Sequence, residues 1–311
     1  MHNYICVIGG ANVDISATPY GDLNKGDSVP GKSNISFGGV GRNISENIAK
    51  LDIAAEFITV IGDDMNSTHF KQDCKRKSIN ISNSLELKST YMSTYVCIND
   101  CNGEMQWAVS NMDIYDYLTP EYISGYLNLI NSADACIIDT NIPEKTISYI
   151  AENCKVPLFV DTVSINKATK IKSCLSKIHT LKPNLLEAQL LTGMKVKSYE
   201  DLKKCADWLL KEGIKNVYIS LGEKGVFCTD GKTYELIPCF KTSIVNTTGA
   251  GDSFIAGLVY SYLKGFNIID STKLGLASAA MCISSKEAVS DKLSCEALEK
   301  MLRFQEANYE C

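Results

Sequence analysis

The sequence predicts an α/β fold built on a parallel sheet with helices covering both faces. Three observations point there. Short, β-rich apolar runs recur along the chain with helical stretches between them. Several of those runs end in Gly, Asp or Asn, where a parallel sheet hands over to a loop and then a helix. And 311 residues, 45% of them hydrophobic, are enough to bury a large core without a disulfide or metal staple.

Taken in order, the predicted strands are Tyr4–Ile8, Phe57–Ile61, Ala135–Ile138, Leu158–Val160, His179–Leu181 and Val217–Leu221. Helical spacing brings Ile44, Ile48 and Leu51 to one face. It does the same for Leu202, Cys205, Trp208 and Leu209 between Ser198 and the stop at Gly213. A third periodic stretch runs through Phe254, Ile255, Leu258, Val259, Tyr262 and Leu263. Two segments break the rhythm. Residues 10–36 are rich in Gly, Asp, Asn and Ser without a helical period, and residues 90–112 alternate like a hairpin turning at Asn102-Gly103. They read as a small β element projecting from one α/β domain that spans residues 1–311.

Composition narrows the function classes. Thirty-one Lys and Arg against 36 Asp and Glu leave a formal charge of −5, with no basic run dense enough to follow a phosphate backbone, so no nucleic-acid partner is expected. No apolar stretch is long enough to span a bilayer. The 13 cysteines form no C-x-x-C pair and mostly sit inside apolar runs, so they read as small hydrophobes in a reducing compartment. The opening residues carry no signal-peptide pattern, and a cytoplasmic setting is expected.

Four clusters carry chemistry. The first is Asn246-Thr-Thr-Gly-Ala-Gly-Asp252, which opens a helix. Small residues at Gly249, Ala250 and Gly251 let backbone N–H groups face an anion at the positive end of the helix dipole. A carboxylate beside such a site, Asp252, suits proton removal from a hydroxyl that attacks a phosphoryl group. Its plain alternative is an ordinary glycine turn with a capping Asp. The second cluster, Phe37-Gly-Gly-Val-Gly-Arg-Asn43, combines close backbone approach at Gly38 and Gly39 with polar recognition by Arg42 and Asn43. The third, Lys182-Pro-Asn-Leu-Leu-Glu187, puts Asn184 and Glu187 on one helical face, which suits either a metal-bound phosphate or an N-cap with a surface Glu. The fourth, Ser220-Leu-Gly-Glu-Lys-Gly225, is a strand end and turn fit for a nucleotide pocket wall. Gly9-Gly10-Ala-Asn-Val-Asp14 lacks the third glycine of a dinucleotide fingerprint, which excludes an NAD-dependent oxidoreductase.

In this order and spacing, the motifs resemble the PfkB/ribokinase family of ATP-dependent sugar and nucleoside kinases across essentially the whole chain. The resemblance implies a Rossmann-like, three-layer α/β/α ribokinase-like fold with a small β-sheet lid at about 10–36 and 90–112, and a homodimer formed through that lid. It implies that Asp252 is the base and that Gly249, Ala250 and Gly251 form the anion hole. Asn184 and Glu187 would hold Mg²⁺ and phosphates largely through water. Ser220, Gly222, Gly225 and Thr248 would border ATP, and Asn12, Asp14, Gly38, Gly39, Asn43 and Asn141 would bind the acceptor. The run from Gly38 to Asn47 is similar to the G-G-V-x-R-N-x-x-E-N pattern of the pseudouridine kinase subgroup, where ribokinases usually carry Lys-Gly-Ala-Asn. Arg42 would then reach a carbonyl or hydroxyl of a ligand larger than a free pentose. The implied reaction is transfer of the ATP γ-phosphate to the 5′-hydroxyl of pseudouridine. Ribose, fructose or another nucleoside is the alternative acceptor, and a non-catalytic sugar- or nucleoside-binding protein the alternative of another class. A family K⁺ site would fall on Asn246, Thr248, Cys282, Ser285 and Glu287. Asn246 lacks the charge of the usual Asp, and Asp291 would replace it.

Overall fold

The computed structural model describes residues 4–309. A nine-stranded sheet runs in the order Tyr234–Ile237, Val226–Thr229, Asn216–Ser220, Thr180–Lys182, Leu158–Asp161, Ala135–Asp139, Tyr4–Ile8, Ala54–Ile58 and Ile79–Asn80. The seven strands from Asn216–Ser220 to Ile79–Asn80 are parallel, and the remaining two add an antiparallel edge. The central strands are apolar on both faces because both faces are covered. Ile5 and Val7 point into one core with the helices Val40–Lys50, Met65–Arg76, Ala250–Leu263 and Ile268–Ile283. Cys6 and Ile8 point into the other, with Glu144–Asn153, Leu185–Thr192 and Tyr199–Lys211. The predicted three-layer ribokinase-like α/β/α architecture is therefore what the chain forms.

A separate four-stranded sheet has the order Gly31–Gly38, Asn12–Pro19, Thr94–Asn99 and Met105–Asn111. Its strands come from the two segments that broke the helical rhythm, except that one runs on to Gly38. Gly103 takes φ +88° in the turn between the last two strands, as the Asn-Gly dipeptide predicts.

The differences in detail have local causes. The predicted strand Phe57–Ile61 divides into Ala54–Ile58 in the large sheet and Val60–Ile61, which pairs with Leu85–Glu86. The Thr59 N–H between them bonds to the Ser84 hydroxyl at 3.1 Å. The predicted His179–Leu181 strand is shifted by one residue, to Thr180–Lys182. The predicted helix beginning at Ser198 forms as Tyr199–Lys211, with Ser198 and Asp201 closing a capping box. The antiparallel edge was not foreseen.

Candidate active site

Site residues gather beyond the carboxyl ends of the parallel strands, where ligands bind in open α/β sheets. Asp139, Asp161 and Lys182 end three neighbouring strands and are Cα partners across them, so they form one transverse row. All three are buried. Lys182 Nζ pairs with Asp161 Oδ2 at 3.2 Å. Asp139 accepts the Gly10 and Asn141 backbone N–H groups, each at 2.8 Å. Sequence reading missed this row because its members lie 20 or more positions apart and register alone unites them.

The helix Ala250–Leu263 begins at Gly249, whose φ of +83° is the left-handed region that glycine enters without penalty. The space a side chain there would need is taken by the Ala288 carbonyl. Ala250 N–H reaches the Thr247 carbonyl at 3.4 Å, whereas among the described residues no protein acceptor meets the Gly251 or Asp252 N–H. Asp252 stands in the first turn, 8% exposed. Burial pushes its carboxyl up to about 7, helped by the nearby Asp161 and Asp139, while Asn43 and Lys182 oppose the shift. A carboxyl titrating near neutrality is suited to general-base work.

The helix Val40–Lys50 starts at a second left-handed glycine, Gly39, with φ +100°. It crosses the first helix so that Asn43 Nδ2 donates to Asp252 Oδ2 at 2.9 Å. The same Asn43 accepts from Arg42 through Oδ1 at 3.0 Å. Arg42 is buried, with its second terminal nitrogen on Glu46 at 2.7 Å and on Asp73 at 3.0 Å. Both terminal nitrogens of Arg42 are thus engaged by the protein, and its buried Nε carries no hydrogen bond. Asn43, expected on the acceptor, is engaged at both ends of its amide. Asp73, which the sequence did not flag, completes this network with Arg76 and Lys77.

Two cavities draw on these helices, one on Ala250 and Gly251 and the other on Arg42 and Glu46. One, of about 600 Å³, is lined by Lys182, Ser220, Gly222, Gly225, Ala250 and Gly251, with Phe240, Ile244 and Phe254 as apolar wall. It brings Ala250 and Gly251 of the predicted anion hole, without Gly249, together with three of the predicted ATP residues and is apolar enough for a purine ring. Thr247 lines it rather than the predicted Thr248. The other, of about 450 Å³, takes Asp14 and Arg42 from the predicted acceptor set, beside Ser36, Phe37 and Asp73. Burial pushes Asp14 up to about 6 against the pull of Arg42 and a hydrogen bond from Asn12. Gly38 pairs with Asn12 at the root of the small sheet. Asn141 lies against Gly10 and accepts from Lys167 Nζ at 2.6 Å.

The Asn184–Glu187 pair is corrected in part. Asn184 is the N-cap of Leu185–Thr192, and the two residues close a reciprocal capping box in which the Asn184 amide donates one hydrogen bond to Glu187 Oε1 and accepts the Glu187 N–H. Glu187 is no surface residue. It is 4% exposed and also accepts from Thr162 Oγ1 at 2.6 Å. No group of three or more His, Cys, Asp or Glu able to hold a metal exists among the described residues. A divalent ion here fits only as one carried on phosphates, with Glu187 as an outer partner.

The residues named for K⁺ are hydrogen-bonded among themselves and to nearby backbone. Asn246 donates to the Lys286 carbonyl and accepts from Thr248 N–H, both at 2.9 Å. The Cys282 thiol lies 3.4 Å from the Thr248 carbonyl and 3.1 Å from that of Ala288, in donor geometry to both. Ser285 receives the Glu287 N–H. Glu287 and Asp291 line the polar cavity instead, and the largely exposed Asp291 pairs with Lys50.

The chain is similar to known proteins over nearly its whole length. Residues 2–294 match the pfkB family of carbohydrate kinases. A pseudouridine kinase of Escherichia coli is 34% identical over 94% of this chain and 94% of its own. A guanosine-inosine kinase of Exiguobacterium acetylicum is 25% identical over 92% and 96%. The structure of Arabidopsis thaliana ribokinase complexed with ribose and ATP superposes with a TM-score of 0.87 at 22% identity, covering 98% of this chain and all of that one. By the family match over nearly its whole length, the chain belongs to the pfkB family of carbohydrate kinases, phosphotransferases that act on a hydroxyl group.

Proposed function

We propose that the chain transfers the γ-phosphoryl group of MgATP to the 5′-hydroxyl of a nucleoside, pseudouridine. The observation that carries the chemistry is the position of Asp252. It follows Ala250 and Gly251, which line the cavity suited to a nucleotide, it is bonded by Asn43 next to Arg42 of the polar cavity suited to an acceptor, and its raised pKa lets it take a hydroxyl proton at neutral pH. ATP occupies the cavity bordered by Ser220, Gly222 and Gly225, with its γ-phosphate at the Gly251 and Asp252 amides. Mg²⁺ arrives on the triphosphate and neutralises part of its charge, with Glu187 and Asn184 behind it. Asp14, Asn12 and Asn141 orient the acceptor, and Asp252 removes the proton as the oxygen attacks in line.

Pseudouridine is favoured over a pentose by two features. One is the relative named above; the other is Arg42, which lines the polar cavity beside Asp14, where a base carbonyl would sit. The four-stranded sheet serves as the lid over the acceptor and as the surface through which two copies pair. Ile35, Ile98, Trp107 and Val109 are exposed on it, an apolar surface that a partner would cover. The twelve described cysteines are free thiols, which suits a cytoplasmic setting.

The test is ADP release from MgATP with pseudouridine, uridine, adenosine, ribose and fructose in parallel, against an acceptor-free control. Pseudouridine is expected to support the highest kcat/KM. A preference for ribose or fructose would overturn the acceptor while leaving the phosphoryl-transfer chemistry in place.

A further inference from the structure

We propose that Lys182 is a catalytic residue of this kinase, its ammonium meeting the negative charge that develops on the phosphoryl group in transit. The inference rests on the phosphoryl-transfer reading and is independent of which acceptor is used.

The argument begins with position. Lys182 is the last residue of a parallel strand and lines the nucleotide cavity together with Ala250 and Gly251. A methyl group built on Gly251 would sit 2.9 Å from Lys182 Nζ. The ammonium therefore lies against the backbone of the anion hole itself, and Gly251 is the residue that lets it approach. This explains the second glycine of the Gly249-Ala-Gly251 turn, whose φ needs no glycine.

Its company points the same way. Asp161 is its one ion-pair partner among the described residues, at 3.2 Å through Oδ2. The other Asp161 oxygen is tied to the Val163 N–H at 2.7 Å, so Asp161 is anchored and holds the lysine in place. An ammonium has three N–H donors, and a single carboxylate leaves others for a ligand. Burial pulls the lysine toward its neutral form, but Asp161, Asp252 and Glu187 more than offset this and hold it charged. The cavity thus keeps a permanent, water-poor positive charge beside two unpaired amides, which is how preorganised sites stabilise developing anionic charge.

In the step itself, the acceptor oxygen forms a bond to the γ-phosphorus as the bond from that phosphorus to the ADP oxygen breaks. The acceptor proton passes to Asp252, and ADP leaves with the electron pair of the broken bond. Lys182 gives up no proton. It hydrogen-bonds an oxygen of the phosphoryl group that takes no part in bond making, and that contact strengthens as charge gathers there.

Lys182→Met tests the role, and the double variant Lys182→Met/Asp161→Asn removes the unpaired carboxylate that would otherwise destabilise the fold. Four readouts apply: thermal melting, MgADP affinity by calorimetry, kcat, and trapping of MgADP with aluminium fluoride in the presence of pseudouridine, or of whichever panel acceptor the wild type uses. Loss of one such donor lowers kcat about 10²–10³-fold. The expected result is a folded double variant that binds MgADP like the wild type, shows that loss in kcat and no longer traps aluminium fluoride. A folded double variant with wild-type kcat would overturn the proposal and leave Lys182 a counter-ion for Asp161. So would a loss that appears entirely as weaker MgADP binding. A wild type inert toward every acceptor would instead break the kinase reading, and this proposal with it.

Discussion

The helices Val40–Lys50 and Ala250–Leu263 begin with the same device and end up doing different work. Each is led by a left-handed glycine, Gly39 or Gly249, and neither has a side-chain cap. At the first, the Arg42 N–H is taken by the Gly10 carbonyl at 3.1 Å and the Asn43 N–H by the Gly39 carbonyl at 2.9 Å. That start is closed by protein at its third amide, the position Asp252 holds in the other helix, while the Val40 and Gly41 N–H groups meet no protein acceptor among the described residues. At the second, the amides of Gly251 and Asp252 have no protein partner among the described residues, and Gly251 borders the nucleotide cavity. A glycine-led helix therefore does not by itself make an anion site. What decides is whether another backbone segment has already claimed the first-turn amides.

The largest expected effect falls on the open start. Asp252→Asn keeps the shape and removes the proton acceptor, so kcat should drop about 10²–10⁴-fold while MgADP still binds. Steady-state kinetics with calorimetry checks this, and retention of most activity would remove Asp252 from the role of base. Next comes the closed start. Arg42→Met strips the guanidinium from Glu46 and Asp73, which are buried around it. A loss of about 3 kcal/mol or more in unfolding free energy is expected, read by urea denaturation. A variant as stable as the wild type would mean that Lys77 and Arg76 suffice to neutralise the pair. The smallest effect belongs to the bond that joins the two starts. Protonated Asp252 cannot act as a base, so kcat/KM should fall on the acid side of about 7. Asn43→Ala removes a donor that favours the charged carboxylate, so this acid limb should move to higher pH. An unmoved limb would show that the Asn43–Asp252 contact is absent from the working enzyme.

The contrast also explains what was legible in the sequence. Turn and helix-start chemistry is local, so Gly39, Gly249, the Asn102-Gly103 turn and the Ser198 cap could be read from neighbouring residues. The alternation of apolar runs and helices sufficed for the layered sheet. The Asp139–Asp161–Lys182 row and the Arg42–Asp73 pair depend on strands and helices meeting in space, and no local pattern announces them. Asn184 and Glu187 were open to two readings because a capping box and a phosphate-side pair share one spacing, and only the three-dimensional hydrogen bonds separate them. The antiparallel edge was missed because no α-helix separates Val226–Thr229 and Tyr234–Ile237 from the strand before them, and alternation of strand with helix was the signal that located the others.

The transverse row bears on assembly as well. Parallel strands with two apolar faces are nearly indifferent to sliding past one another, since either alignment buries hydrocarbon. A charge at the end of each strand changes that. Slipping Leu158–Asp161 by one residue would turn the Asp161 carboxylate to the opposite face of the sheet and strand Lys182 in the interior without its counter-charge. Alignment of the central strands and competence for chemistry are thereby set by the same three side chains, so a chain that misaligns here forfeits its fold before it could fold into a misassembled, idle enzyme.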